Sequence, residues 1–298
     1  MHSSVSSQKS TSLISVSQLT EFIGLSDAVS DLVILDVSVP MPGETKDCYT
    51  EFKQRHIPGA RFFDLNKCKE TNTENEYMLP TVEKFKKCVE RFDIKSHTTV
   101  VVYDANKEKG MFSSPRAWFM FMTFGHKRVY VIDGGLMQWL KEGRSTETGD
   151  APLRLQSNYS PGQFRIAHVK CLQQVKLNIV AKNFQLLDAR SPALFHGSSP
   201  ELRPDIKPGH IPGSKCLFWI EFLEDGVLKS PEKLVEVYKA AGVDPKSSIV
   251  ATCNTGMAAC FIKLTCHMLG NSDVAVYDGS WVDWFLHAPD NLKIEVPK

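Results

Sequence analysis

Residues 231–260 read PEKLVEVYKAAGVDPKSSIVATCNTGMAAC, and residues 82–104 read VEKFKKCVERFDIKSHTTVVVYD. Each opens on apolar residues at helical spacing, passes through a polar turn and closes on a β-branched run of strand length, Ile249–Thr252 in one and Val100–Tyr103 in the other. The residue just past the run is Cys253 in the later stretch and Asp104 in the earlier one. Working outward, the likeness continues. LVILDV (32–37) matches FQLLDA (184–189), RHIPGARFFDL (55–65) matches GHIPGSKCLFW (209–219), and VYVIDGGLMQW (129–139) matches VAVYDGSWVDW (274–284). His56 to His210, Asp104 to Cys253 and Asp133 to Asp278 are separated by 154, 149 and 145 residues. The order never changes and the offset drifts only as loop insertions would shift it, so the chain holds two copies of one unit.

We expect an N-terminal domain over 15–143, a linker over 144–163 and a C-terminal domain over 164–290. The linker, RSTETGDAPLRLQSNYSPGQ, is polar, carries Pro and Gly and lacks periodicity. A length of 298 residues leaves room for two compact units. The runs Val100–Tyr103, Val129–Ile132, Ile249–Thr252 and Val274–Tyr277 are continuously apolar, as strands covered on both faces are. Helical spacing over Pro231–Ala241 and Met257–Leu269 completes an alternation of strands and helices. The expected fold class is α/β, with two tandem domains, each a mostly parallel sheet flanked by helices.

Composition narrows the function. Thirty-five basic residues face 34 acidic ones, with no run of Lys or Arg that would make a phosphate-binding stripe, so nucleic acid is not an expected partner. Apolar stretches such as Trp118–Met122 fall far short of the ~18 residues of a membrane span, so no membrane is expected either. The eight cysteines, at 48, 68, 88, 171, 216, 253, 260 and 266, form no Cys-x-x-Cys pair, and no disulfide framework or metal site is expected. This usage fits a reducing compartment, the cytosol first. The Ser-rich first eighteen residues have one Lys, no Arg and no continuous apolar stretch, which fits a frayed terminus; a mitochondrial presequence is the second reading.

The chemistry concentrates at Cys253. In open α/β sheets ligands sit beyond the carboxyl ends of strands, where the next helix aims its free N–H groups and positive dipole end at them. Such a terminus favours thiolate over thiol, and Gly256 lets the loop curl around the sulfur. Elsewhere a cysteine on an apolar element packs as a small hydrophobe, and Cys260, Cys266 and the other five fit that description. The aromatics Trp139, Trp281 and Trp284 of the two DG segments read as core.

The duplicated unit, the HIPG element in both halves, the CxxGxxxC loop and the DGS-W-xxW segment resemble the two-domain sulfurtransferases of the rhodanese superfamily over residues 15 to 290. The resemblance implies a silent N-terminal copy and a C-terminal copy whose Cys253 carries a persulfide; Asp104 and the longer loop ANKEKGMFSS agree with silence in the first. It further implies that Asn254, Thr255, Gly256, Met257 and Ala258 line the donor site. Small neutral residues such as Asn254 and Thr255 match family members that use 3-mercaptopyruvate; basic ones match users of thiosulfate. A phosphatase of the same fold would place Arg where Ala259 stands. The family grips the donor carboxylate with two arginines. The second falls on Arg203, whereas the first falls on Leu194, a departure that leaves Arg190 or His196 as substitutes. Arg190 reads equally as an ion pair with Asp188 or a neighbour. A proton relay of hydroxyl, imidazole and carboxylate would map onto Thr255, His56 and Asp47, while His210 reads as a brace for its turn. No cofactor is implied. The expected reaction takes sulfur from 3-mercaptopyruvate to thioredoxin, another small thiol or cyanide, releasing pyruvate. Thiosulfate use and a non-catalytic sulfur-carrying module are the alternatives.

Overall fold

A computed structural model describes residues 12–25, 31–150 and 156–295. The first sheet takes strands β1 (Leu13–Ile14), β2 (Leu32–Asp36), β3 (Arg61–Phe62), β4 (Thr99–Tyr103) and β5 (Val129–Ile132) in the order β1-β5-β4-β2-β3. The second takes β6 (Val169–Lys170), β7 (Gln185–Asp188), β9 (Lys215–Cys216), β12 (Ile249–Thr252) and β13 (Val274–Tyr277) in the order β6-β13-β12-β7-β9. Every pairing in both is parallel. The duplication extends to register: Asp36 pairs with Phe62 and Tyr103, and Asp188 pairs with Cys216 and Thr252. Tyr103 is thereby equivalent to Thr252, and Asp104 to Cys253. Two short antiparallel ribbons, β8 (Gly209–His210) with β14 (Ile294–Glu295) and β10 (Leu223–Glu224) with β11 (Val227–Leu228), are additions of the second domain.

Helices of the first domain are α1 (Val16–Leu25), α2 (Cys48–Gln54), α3 (Val82–Glu90), α4 (Ser114–Thr123) and α5 (Gly135–Lys141). Those of the second are α6 (Leu172–Ala181), α7 (Pro192–Phe195), α8 (Pro231–Ala240), α9 (Ala259–Met268) and α10 (Ser280–His287). Helix α9 starts two residues later than its apolar spacing suggested, because Gly256 at φ +81° turns the chain first.

Strand alternation sorts the core into three clusters. Val100 and Val102 face a central core, while Val101 and Tyr103 face an outer core with Phe52, Ile57 and Trp139. In the second sheet Ile249 and Ala251 face the same central core, and Val250 faces an outer core with Trp281 and Trp284. The central cluster is shared by both domains, with α4 and α9 packed on each other inside it. Both helices are buried over almost their whole length, which explains segments as apolar as AWFMFM. The expected linker follows the first domain closely where it is described: Glu147 bridges to His56, Ser157 N donates to Glu90 O, and Tyr159 is buried. Residues 151–155 of it, and the serine-rich residues 1–11, lie outside the described residues.

Candidate active site

Cys253 is the first residue past β12, and its backbone is pinned on both sides. Its N–H donates to Ser280 Oγ at 3.1 Å, and its carbonyl accepts from Trp281 N at 3.0 Å. Ser280, at φ +55°, in turn donates its hydroxyl to Tyr277 O. The turn after β13 therefore fixes where the thiol sits. Cys253 is 2 % exposed, and Asn254 and Thr255 beside it are half-buried. Gly256 lies so close to the β13 turn that a Cβ there would stand 2.7 Å from Asp278 O. Among the described residues, the N–H groups of Asn254, Thr255, Gly256, Met257 and Ala258 donate to no protein acceptor. Five free donors in series, followed by the start of α9, make a cradle for an anion.

The first domain shows what such a cradle holds. At the equivalent strand end, Asp104 Oδ2 accepts from Phe112 N, Ser113 N and Ser114 N at 2.9, 3.0 and 2.9 Å. Asp104 is 1 % exposed, and burial raises its carboxyl above the usual range although the Phe112 and Ser114 amides pull the other way. The chain's own carboxylate thus fills the first cradle. Where the second would receive one, it presents a sulfur.

The wall beside Cys253 is built by Arg190. Its Nε lies 3.1 Å from both Asp188 oxygens, one terminal nitrogen donates to Asp188 Oδ2 and Gly209 O at 2.7 Å each, and the other donates to Glu201 Oε1 at 2.8 Å. The guanidinium also lies over the Trp281 ring at 5.2 Å. It interacts electrostatically with Cys253. These partners make Arg190 a buried, ion-paired wall residue. Glu201, which sequence reasoning passed over, is buried and held by Arg190, with burial raising its carboxyl.

Arg203 lies at the seam between domains. Its guanidinium grips Asp205 at 3.2 and 2.5 Å and donates to Glu74 O of the first domain at 2.9 Å. Leu194 is half-buried within α7, and His196 caps that helix while remaining exposed.

His56 and Asp47, the imidazole and carboxylate of the expected relay, are each held by local partners. His56 stacks on Phe52 with centroids 4.2 Å apart and planes at 16°, and its Nδ1 meets Phe52 O at 2.9 Å. His210 repeats this on Phe195 at 4.1 Å and 13°, with Nδ1 3.0 Å from Phe195 O. The two histidines share one stacking geometry, and His56 Nε2 also stands 4.0 Å from Glu147 Oε2. Phe52 belongs to the outer core of the first domain, whereas Cys253 belongs to the central core. Asp47 caps α2, accepting from Tyr49 N, Thr50 N and the Thr50 hydroxyl. Thr255 follows Cys253 by two residues on the same loop.

Of the seven cysteines expected to pack as small hydrophobes, Cys48, Cys68, Cys260 and Cys266 are buried and Cys88 and Cys216 half-buried, whereas Cys171, ahead of α6, is exposed. Trp139, Trp281 and Trp284 are buried, and burial pushes the Cys260 and Cys266 thiols up to about 12 each. Among the described residues no cluster of three His, Cys, Asp or Glu is arranged to hold a metal ion.

What the sequence did not disclose is that the first domain supplies the seam of this site. Leu79 N donates to Asp278 Oδ2 at 2.7 Å, Asn75 Nδ2 donates to Asp283 Oδ1 at 3.1 Å, and Arg116 pairs with Asp278 at 2.6 Å. The available signal was a lone Arg in the otherwise apolar α4.

The Rhodanese-like domain model matches residues 18–142 and again 172–287. The chain belongs to the rhodanese family. Within it, the chain is 37% identical to the human 3-mercaptopyruvate sulfurtransferase over 95% of each chain. It is 39% identical to the thiosulfate sulfurtransferase of Rattus norvegicus over 96% of each. Its fold matches the crystal structure of SseA from Escherichia coli, described as a 3-mercaptopyruvate sulfotransferase, with a TM-score of 0.80 and 29% identity over 91% of this chain and 99% of that one. As a rhodanese-family protein it keeps two whole domains, of which only the second has a cysteine at the cradle.

Proposed function

We propose that the protein is a sulfurtransferase that takes sulfur from 3-mercaptopyruvate onto Cys253 and passes it to a thiol. The observation that carries this is the pair of equivalent cradles, one filled by Asp104 and the other left with five free N–H groups around Cys253. In the first step the Cys253 thiolate attacks the donor sulfur, the donor C–S bond breaks and its electron pair leaves as the pyruvate enolate. A proton then reaches the enolate carbon to give pyruvate, and Cys253 holds S–SH. In the second step an acceptor thiolate attacks the outer sulfur, takes it as its own persulfide and returns Cys253 as thiolate. Thioredoxin or a small thiol fits this step; cyanide would attack the same outer sulfur by carbon and leave as thiocyanate. Thr255, a hydroxyl two residues past Cys253 on the same loop, is our candidate for the proton transfer. Arg203 is our candidate for the donor carboxylate, and Asn254, Gly256, Met257 and Ala258 for the floor of the donor site. Residues 164–290 form the catalytic unit of this reading and 15–143 the silent one.

Relatives named for thiosulfate are as similar as those named for mercaptopyruvate, so overall identity does not choose the donor. Local charge favours 3-mercaptopyruvate: Asn254 and Thr255 carry no charge, and a dianionic donor meets no cation on the loop. We expect kcat/KM for 3-mercaptopyruvate to exceed that for thiosulfate by at least about tenfold, which is ~1.4 kcal/mol of discrimination. Steady-state kinetics with both donors and one acceptor test it, and equal or reversed preference favours the thiosulfate reading. No helix among the described residues is long and apolar enough to cross a membrane. The eight unpaired cysteines support the cytosol as the compartment, with mitochondria as the second reading.

A further inference from the structure

Arg116 stands in α4 of the silent domain, 3 % exposed, with every neighbour on its helix except Met122 buried as well. A guanidinium in such a place needs partners of its own, and two of its three acceptors among the described residues lie across the seam. Its Nη1 donates to Asp278 Oδ1 at 2.6 Å and to Gly256 O at 3.4 Å, while Nη2 donates to Tyr77 O. Asp278 uses its other oxygen to accept from Leu79 N. One buried cation therefore ties together α4, the 77–79 segment, the turn after β13 and the loop that follows Cys253.

The bond to Gly256 O orients a peptide plane. Gly256 O is held from a second direction by Cys260 Sγ at 3.3 Å, a thiol that burial keeps protonated and therefore donating. In a trans peptide the C=O and the next N–H point in opposite directions. Fixing Gly256 O toward Arg116 and Cys260 turns the Met257 N–H away from them. That N–H is one of the five donors with no protein acceptor among the described residues. A rotated plane would present a carbonyl oxygen where the cradle needs a hydrogen. Rotation is cheap at Gly256, which has no side chain and sits at φ +81°, so something outside the loop must prevent it.

We propose that Arg116, a residue of the non-catalytic domain, is a positioning residue for sulfur transfer, holding the Gly256–Met257 peptide so that its N–H serves the anion on Cys253. The inference rests on the reading of Cys253 as the sulfur-carrying residue. It gives the silent copy a function: the second domain's cradle is completed by a side chain the first one lends. Removing one oriented donor of this kind costs about 10²-fold in the chemical step.

The test uses the full chain with Arg116→Lys and Asp278→Asn. Lysine keeps the charge that Asp278 requires but lacks the fork that reaches Gly256 O and Tyr77 O together. Asparagine keeps an acceptor for Leu79 N while loosening the hold on Arg116. Three quantities are read: pyruvate release under saturating 3-mercaptopyruvate, KM for the donor, and the rate of Cys253 alkylation by iodoacetamide at fixed pH. We expect Arg116→Lys to lower kcat by roughly tenfold to a hundredfold, with a parallel fall in alkylation and little change in KM. Asp278→Asn should move in the same direction by less. A folded Arg116→Lys protein with wild-type kcat and alkylation rate overturns the proposal. So does a loss confined to KM, or a loss of melting temperature with unchanged rates. Failure of the Cys253 reading looks different: persulfide would still form in Cys253→Ser.

Discussion

Replacing Asp104 with alanine should destabilise the first domain while sparing the chemistry of the second. The Asp104 carboxylate accepts three backbone N–H bonds of 2.9–3.0 Å at the start of α4, in a site essentially closed to water. Each buried N–H left without an acceptor costs on the order of 1–3 kcal/mol. Against this, the substitution relieves the burial of a carboxylate, a cost visible in its raised protonation equilibrium. The difference places Asp104→Ala at the low end, about 3–4 kcal/mol. At ~2–4 °C per kcal/mol for domains of this size, the first unfolding transition should fall by about 6–16 °C. Asp104→Asn is the control. It keeps one acceptor for the three amides and puts its NH2 where Oδ1 has no partner in the structure, so it should cost only about 1–2 kcal/mol. Differential scanning calorimetry reads both variants, and sulfur transfer below the transition should stay within about twofold of wild type. Addition of a small oxyanion should recover part of the loss in Asp104→Ala, because the emptied cradle can bind it. An unchanged melting temperature would refute the account of Asp104 as the anion that closes the first cradle.

Asp36 and His56 carry two further predictions. Asp36, equivalent to Asp188 but facing Ser38 where Asp188 faces Arg190, is raised by burial from 3.8 to about 7. Its folded form keeps the proton that the unfolded form has released, so stability should fall as pH rises from about 4 to about 7. Asp36→Asn should flatten that slope and gain up to on the order of 4 kcal/mol above pH 7, read from denaturant melts across pH. His56→Ala should lower stability through loss of the Phe52 stack and the helix-end contact while changing kcat less than threefold, about 0.7 kcal/mol; a hundredfold loss in kcat would return His56 to the chemistry.

The parts of this molecule legible in the sequence are those that depend on local pattern. Strand Ile249–Thr252 shows as an apolar run because both of its faces are covered, and the repeat shows because two copies must meet the same packing rules. Cys253 is legible for the same reason, since a strand end followed by a glycine-bearing turn and a helix is a local arrangement with one outcome. Roles set by contacts across the chain were hidden. Arg116 and Asp278 are separated by 162 residues and meet only because the two domains pack through α4 and α9. His56 was hard to read for a different reason: an imidazole suits a relay and a stack equally well, and its stack on Phe52 is visible only in the fold. The contacts of Arg190 with Glu201, 11 residues on, and with Gly209 O, 19 residues on, were hidden in the same way.

The central claim is that sulfur passes through Cys253, and intact-mass spectrometry of the full chain after addition of 3-mercaptopyruvate without an acceptor tests it most directly. The account predicts a gain of one sulfur atom in the wild-type protein, mapped by peptide analysis to Cys253, lost on adding a thiol acceptor and absent in Cys253→Ser. A sulfur adduct on Cys260, Cys266 or any other cysteine, or an adduct that survives in Cys253→Ser, would contradict it.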